Sequence, residues 1–444
     1  MLRFLRKKMK GIMITVAIVF AASMFYGLAA TKWQSGEKPS TDLAKVNGQS
    51  LNPYRYREIL GRLMQQFGAK LQAQDMAFVQ NLALNQTIDF TLLLNQAKKK
   101  VKVINREVDL AVEQIMKQEE IKSQQELRSA LERAGLPMGT FRDMIKDEML
   151  VQKMVMKVRE GVTVSPNDLR EVKASHLLVS DEAVAKSLLA KVKAGEDFAA
   201  LARKYSEDPG SAKKGGDLGY FSYGQMVEPF AQAAFALKIG EISGVIKTNF
   251  GFHIIKATDS RLRKFEGKEK NVEKAALMEK QQQAFQKWFS QIKEKAKIEV
   301  NDPLLKGHAY RFKNQLLEAI AEYKKAAIKE PNNALVHFFL ADSYKVIGKP
   351  DLAVEEYEVA IRTDGGNPSF YLIFASYYES MGQKDKAIEQ YKRASLVAGD
   401  NKAVHEELLA RFRKLKATKE SLQEQAEIAR INKKEKFEKE LKGE

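Results

Sequence analysis

Cysteine is absent from all 444 residues. That excludes thiol nucleophiles, a disulfide framework and a lipid anchor carried on cysteine, and it suits an oxidising compartment. Nucleotide-binding signatures are missing as well. No GxxxxGK[ST] or GxGxxG follows a strand pattern, so there is no loop to cradle a phosphate. No HExxH-like spacing supports a zinc site. The formal charge of +17 and pI near 9.5 invite a nucleic-acid reading. Lys and Glu, however, interleave along most of the chain, and no compact basic patch with interleaved aromatics occurs, so nucleic acid is not expected as a partner. Interleaving of this kind belongs to solvated helices, and the excess cationic charge suits anionic membrane surfaces or acidic clients.

At this length two to four domains are expected. Residues 1–10 form a basic segment with Arg3, Arg6, Lys7, Lys8 and Lys10. The next 21 residues, 11–31, carry no charge before Lys32. Such a run is long enough for a transmembrane signal-anchor helix, and its basic flank puts the N-terminus in the cytoplasm and the bulk outside. A cleaved signal peptide, cut near Ala29 and Ala30, is the rival reading; the length favours the uncleaved anchor. Either way the rest is exported. Residues 32–41 are polar with Gly and Pro, a linker.

Leu43 to Val46 then reads as a short strand, followed by an Asn47-Gly48 turn. From Tyr54 to about Arg159 the pattern is helical, with Ile59, Leu63, Phe67 and Leu71 at four-residue steps. Lys173 to Asp259 reads as a small α/β domain. Apolar strands at its two ends carry His176 and His253. Between them lie amphipathic helical runs (Val184, Leu188, Leu189, Val192; then Phe198, Leu201, Ala202, Tyr205) and a Gly-rich loop from Pro209 to Gly219. A short helix holds Phe230, Ala234 and Phe235. A charged helix over Arg261 to Lys297 carries an apolar seam (Trp288, Phe289, Ile292) and ends in KIEV. Beyond it a period of 34 appears: Ala319, Ala353 and Ala387, then Tyr323, Tyr357 and Tyr391, then Ala326, Ala360 and Ala394, with turn glycines Gly348 and Gly382. First-helix positions repeat likewise at Gly307, Ala341 and Ala375. This is the tetratricopeptide (TPR) pattern, in which small residues let helices cross closely and tyrosines fill the gaps.

The stretches ASHLLV, YSEDPGSAKKGGDLGYFSYGQMVEPF and GFHII resemble, in order and spacing, the parvulin family of peptidyl-prolyl cis/trans isomerases. AKVNGQSLN, NREVDLAVEQI, LERAGLPMGTFRDMIKDEML and GVTVSP resemble the N-terminal chaperone domain of the SurA/PpiD/PrsA group. The fold class implied is multidomain, α and α+β. It comprises a helical SurA-like domain over 42–170, completed by 261–299, and a parvulin-like α+β domain over 171–260 with a small antiparallel sheet. An all-α solenoid of three TPR repeats follows over 300–401, with a capping helix and charged tail over 402–444. In the group, the segment ending in KIEV returns to pair with the AKVNG strand; a plain spacer helix is the alternative.

What the resemblance implies for chemistry can be carried residue by residue. Leu218, Met226 and Phe230 correspond to the socket for a substrate proline. His176 and His253 match the paired histidines that bond each other on the central strands. Asp208 falls where relatives place a Cys or Asp facing the substrate amide, although a turn-stabilising Asx role is its commoner use. Thr248 takes the polar position of the last loop, and Phe250, counted with the substrate-binding residues, stands two residues later where a Ser is often found. Rotation about X–Pro meets a barrier of about 18–20 kcal/mol from amide resonance. Lowering it needs an apolar socket and placed polar groups, with no metal and no cofactor. After the first histidine strand, VSDEAVAKS is net acidic, which argues against phosphate recognition. The expectation is an isomerase and folding chaperone at the outer face of a bacterial inner membrane. It would act on unfolded or nascent exported chains, with a protein partner on the TPR surface. The alternative is a non-catalytic holdase or scaffold built on a degenerate parvulin domain.

Overall fold

In the computed structural model the described residues are 42–67, 73–264 and 271–442. The expected anchor over 11–31 and linker over 32–41 lie outside them, and among the described residues no helix is long and apolar enough to cross a membrane. Strands β1 (Ala44–Val46) and β2 (Gln49–Ser50) form a hairpin across Asn47 and Gly48, at φ 53° and 80°. A two-residue turn that keeps the strand twist needs both centres left-handed, which Asn-Gly tolerates best. Helix α1 (Pro53–Phe67) opens on proline, with the Asn52 side chain accepting the Tyr54 N–H at 2.9 Å. Then come α2 (Met76–Lys100), α3 (Asn105–Gln118), α4 (Gln124–Arg133) and α5 (Met138–Glu160). Arg55 is buried between them. It donates to the Met144 carbonyl at 3.1 Å and to Glu148 at 3.3 Å, and its guanidinium lies 3.9 Å from the Phe90 ring centre. The charge is thus paired where burial alone would be costly.

The isomerase-like region runs β3 (Arg170–Val179), α6 (Glu182–Lys193), α7 (Phe198–Tyr205), β4 (Asp217–Ser222), α8 (Glu228–Ala236), β5 (Ile246–Thr248) and β6 (Gly251–Leu262). Asp181 and Asp197 start α6 and α7 by accepting N–H groups of Val184 and Ala200 at 2.9 and 2.8 Å. The strands form one antiparallel sheet in the order β4-β3-β6-β5. Side-chain alternation divides its apolar residues between two faces. Leu177, Val179 and Ile254 pack with Leu188, Phe198 and Leu201 of α6 and α7, while Ala174, Ile255 and Ala257 pack with Phe230, Ala234 and Phe235 of α8.

Helix α9 (Val272–Glu294) leads to β7 (Ile298–Val300), which lies antiparallel to β1 with Ala44 opposite Val300 and Val46 opposite Ile298. The small sheet therefore has the order β2-β1-β7. Helices α10 (Pro303–Phe312) to α15 follow in pairs: α11 (Leu316–Lys329), α12 (Ala334–Val346), α13 (Pro350–Thr363), α14 (Pro368–Ser380) and α15 (Lys384–Val397). Tyr323, Tyr357 and Tyr391 are fully buried, as are the alanines of the 34-residue register. A Cβ on Gly307 would sit 2.4 Å from the Tyr323 ring, so a side chain at this crossing would force that ring to shift. Ala73 and Ala77 belong to the same core as the repeats, and His308 reaches Gln80 of α2 at 2.8 Å.

One expectation needs correction. Residues 402–444, expected from the sequence as a capping helix and charged tail, contain two helices, α16 (Lys402–Lys414) and α17 (Thr418–Lys442). The chain reverses at Lys416, at φ 55°, in step with Asn314, Gly348 and Gly382 at φ 59°, 72° and 73°. This is a fourth helix pair in the same register, with Phe412 buried where Tyr378 stands in the pair before. Its turn carries lysine instead of glycine, which hides the break in the sequence.

Two compact units divide the chain, one combining residues up to Met154 with those from Ile292 onward, the other spanning Val155–Gln291.

Candidate active site

The site lies in the second unit, on the α8 side of the sheet. Strand register puts Ile255 opposite His176 and Leu178 opposite His253, so the two histidines are diagonal neighbours on one face. Their Nδ1 atoms are 3.2 Å apart and the rings stack with centroids at 5.4 Å. Both are buried. Phe230, projecting from α8, stands edge-on to both rings, with centroids at 5.6 and 5.2 Å. Leu218 of β4 and Met226, which follows the short turn after it, are half-buried against the same cluster. The three expected socket residues thus share one apolar patch beside the imidazoles.

Asp208 serves two purposes. Its Oδ1 accepts the Gly210 N–H at 3.1 Å, closing an Asx-type turn, while Oδ2 lies 2.8 Å from His176 Nε2. At the other end of the histidine pair, His253 Nε2 is 2.8 Å from Thr248 Oγ1, which accepts the Phe250 N–H at 3.0 Å. Phe250 is 70 % exposed and is not part of the apolar cluster around Phe230. Sequence reasoning missed Ser211, whose Oγ contacts Asp208 Oδ2 and lies 3.0 Å from His176 Nε2. The signal available was its place three residues after Asp208 within a turn. Gly216, in the Gly-rich loop, is required by a close approach to the first histidine strand. At φ 80° a Cβ there would lie 2.1 Å from the His176 carbonyl oxygen.

Proton order follows from donor and acceptor counting. Burial alone would raise the Asp208 pKa, but hydrogen bonds from Ser211, His176 and the Gly210 N–H outweigh it and hold the carboxyl down to about 2. An ionised Asp208 only accepts, so His176 donates from Nε2 and accepts at Nδ1. His253 then donates from Nδ1 and accepts the Thr248 hydroxyl at Nε2. Every bond in the row is satisfied with both imidazoles neutral. Burial, with help from His176 and against the pull of Asp208, pushes the His253 pKa down to about 4. The result is a fixed polar row ending on a carboxylate, set against an apolar patch. Buried and mutually bonded histidines are unsuited to nucleophilic attack. They are suited to holding a charge and a hydroxyl in place.

Comparison with known proteins accords with this geometry. Residues 156–261 match the family model of the PPIC-type PPIASE domain, residues 1–155 that of the SurA-like N-terminal domain, and residues 368–401 that of the tetratricopeptide repeat. The foldase protein PrsA of Geobacillus kaustophilus is 42 % identical over 174 residues, covering 37 % of this chain and 59 % of that protein, less than two thirds of it. PrsA of another Geobacillus is 36 % identical over 226 residues, covering 46 % of this chain and 74 % of its own length. PrsA of Caldanaerobacter subterraneus is 29 % identical over 307 residues, covering 63 % of this chain and 94 % of itself. With the paired histidines, the apolar patch and a relative matched over most of its length, the chain belongs to the PrsA/SurA-like parvulin-type peptidyl-prolyl isomerases.

Proposed function

We propose that the chain accelerates cis/trans exchange at X–Pro bonds of unfolded or nascent exported polypeptides, at the outer face of a bacterial inner membrane. The observation that carries this reading is the row Asp208–His176–His253–Thr248 set directly against Phe230. The proline ring enters the patch of Leu218, Met226 and Phe230. The Asp208 carboxylate, held ionised, faces the amide and favours the twisted state, in which resonance is lost. Phe250 borders the entrance. An uncatalysed exchange takes tens to hundreds of seconds, slow enough to limit folding. Ser180, Asp181 and Glu182 beyond β3 are exposed, and Glu207 accepts the Ser180 hydroxyl at 3.0 Å. An acidic border of this kind favours unphosphorylated clients. The helical N-terminal region holds clients close by, the TPR array docks a protein partner, and the uncharged stretch over 11–31 anchors the chain in the inner membrane.

The test is catalysis of exchange in an Ala-Xaa-Pro peptide by the full chain and by Phe230→Ala and Met226→Ala. Each variant is expected to lose about ten- to a hundredfold in kcat/KM, the worth of one apolar side chain in the socket. No catalysis by the folded unmodified chain would replace this reading with that of a binding chaperone on an isomerase fold.

A further inference from the structure

We propose that Ser211 is a positioning residue of the isomerase site, whose hydroxyl locks the Asp208 carboxylate onto His176 and so sets the direction of the whole hydrogen-bonded row. The inference rests on the proposed isomerase function and adds to it a residue with a distinct task.

Ser211 is only 2 % exposed, so its hydroxyl must find its partners inside the protein. Two are in reach, Asp208 Oδ2 and His176 Nε2. A hydroxyl has one proton to give, and the carboxylate cannot donate. The Ser211 O–H therefore goes to Asp208, and its lone pair receives part of the His176 Nε2–H, which is shared between Asp208 at 2.8 Å and Ser211 at 3.0 Å. The arrangement is a closed triangle in which each corner restrains the other two. It holds the carboxylate oxygen where His176 must donate from Nε2, and so keeps in place the order of protons that runs outward to His253 and Thr248.

The backbone fixes the hydroxyl in that triangle from a second direction. The Ser211 carbonyl accepts N–H groups of Lys214 at 2.8 Å and Gly216 at 2.9 Å. The Gly216 carbonyl in turn accepts the His176 N–H at 2.9 Å. Side chain and main chain of one loop thus both terminate on His176. Without the hydroxyl, Asp208 keeps its Oδ1 bond to Gly210 but its Oδ2 loses the tie that holds it inward. Asp208 then favours the Nε2–H tautomer of His176 only while its freed carboxylate oxygen stays in place, so the selection is weakened. A serine present only for packing would have no such effect.

The experiment uses the full chain with 15N-labelled histidine, reading imidazole signals and the pH profile of peptide exchange. The titratable groups facing Asp208 are His176 on β3 and, behind it, His253 on β6; Lys213 and Lys214 of the same loop are exposed. In the unmodified chain His176 should carry its proton on Nε2 and His253 on Nδ1, and the opposite tautomers would overturn the proposal. Ser211→Ala is expected to lower kcat about ten- to a hundredfold with KM little changed, the scale of one hydrogen bond to a charged group. It should also move the acid limb of the profile upward and give mixed His176 tautomers. Ser211→Thr, which keeps the hydroxyl, should restore all three. Unchanged tautomers and an unchanged acid limb in Ser211→Ala would refute the role, whatever happens to stability. A wild-type chain without catalysis would sink the proposed function instead, while the tautomer signals would still decide the part played by Ser211.

Discussion

Acid should weaken the isomerase region through His253 well before it reaches the ordinary carboxylate range. The folded pKa of His253 is about 4, below the usual 6.5, because burial between sheet and α8 disfavours the charged ring. Between those values the unfolded chain binds a proton that the folded domain refuses, so stability falls as pH falls through the window. From pH 7 to pH 5 the loss works out at about 2 kcal/mol for this group alone. Asp208, held at about 2, adds a similar loss only below its ordinary value of 3.8. Protonation would also make His253 Nε2 a donor, turning the Thr248 hydroxyl away and breaking the row. Amide hydrogen exchange at Ile254 and Ile255, in the strand that carries His253, reads this locally and keeps out the buried His308 of the other unit, which burial pushes down to about 3. Protection at those amides should drop by about twentyfold between pH 7 and pH 5 after correction for intrinsic exchange, and the drop should vanish in His253→Phe. Catalysis should stay level from pH 8 to pH 5. An activity titration centred near pH 6.5, with no loss of protection by pH 5, would refute the assignment of a buried neutral histidine.

Two further outcomes follow from packing. Tyr323 donates to His308 Nδ1 at 2.9 Å and Tyr391 to Glu379 at 3.0 Å, whereas the buried Tyr357 hydroxyl has no hydrogen-bond partner in the protein among the described residues. Tyr323→Phe and Tyr391→Phe should each cost about 1–2 kcal/mol in urea unfolding, while Tyr357→Phe should be neutral or stabilising by up to about 1 kcal/mol. Equal losses in all three would contradict the bonding pattern. Gly216→Ala must accommodate both φ 80° and a 2.1 Å approach to the His176 carbonyl, but Gly219, at φ 70°, has open space around it. The first substitution should cost about 2–5 kcal/mol and nearly all catalysis, the second about 1 kcal/mol; thermal unfolding and peptide exchange on the pair would check this.

How legible each part was depended on whether its physics is local. The 34-residue register announced itself because helices that cross closely demand small residues at fixed places, and Ala319, Ala353 and Ala387 are all fully buried. The fourth pair escaped notice because Lys416 adopts a backbone angle that glycine advertises at 348 and 382. In the site, the histidine strands and the Phe230 helix stood out as motifs. The share of Ser211 did not, because a serine in a Gly-rich turn looks like any turn serine until the strand beside it is in place. Asp208 posed a choice between turn and site that its two oxygens resolve by doing one each. Nothing local in Gln80 points to His308, 228 residues away, because that contact exists only once α2 lies against the repeats.

The pairing of β1 with β7 bears on the order in which the chain can assemble. Asn47 and Lys297, joined by two hydrogen bonds at the sheet, are 250 residues apart. Closing so long a loop costs about 5 kcal/mol in chain entropy if nothing between is folded. A chain emerging N-terminus first therefore has no route to the finished small sheet until residue 300 appears. By then all of Val155–Gln291 has emerged and can already have formed its own sheet, shortening the gap that remains. On this timetable the isomerase matures before the scaffold that flanks it in sequence, and the N-terminal helices wait, with apolar faces uncovered, for the far end of their own chain.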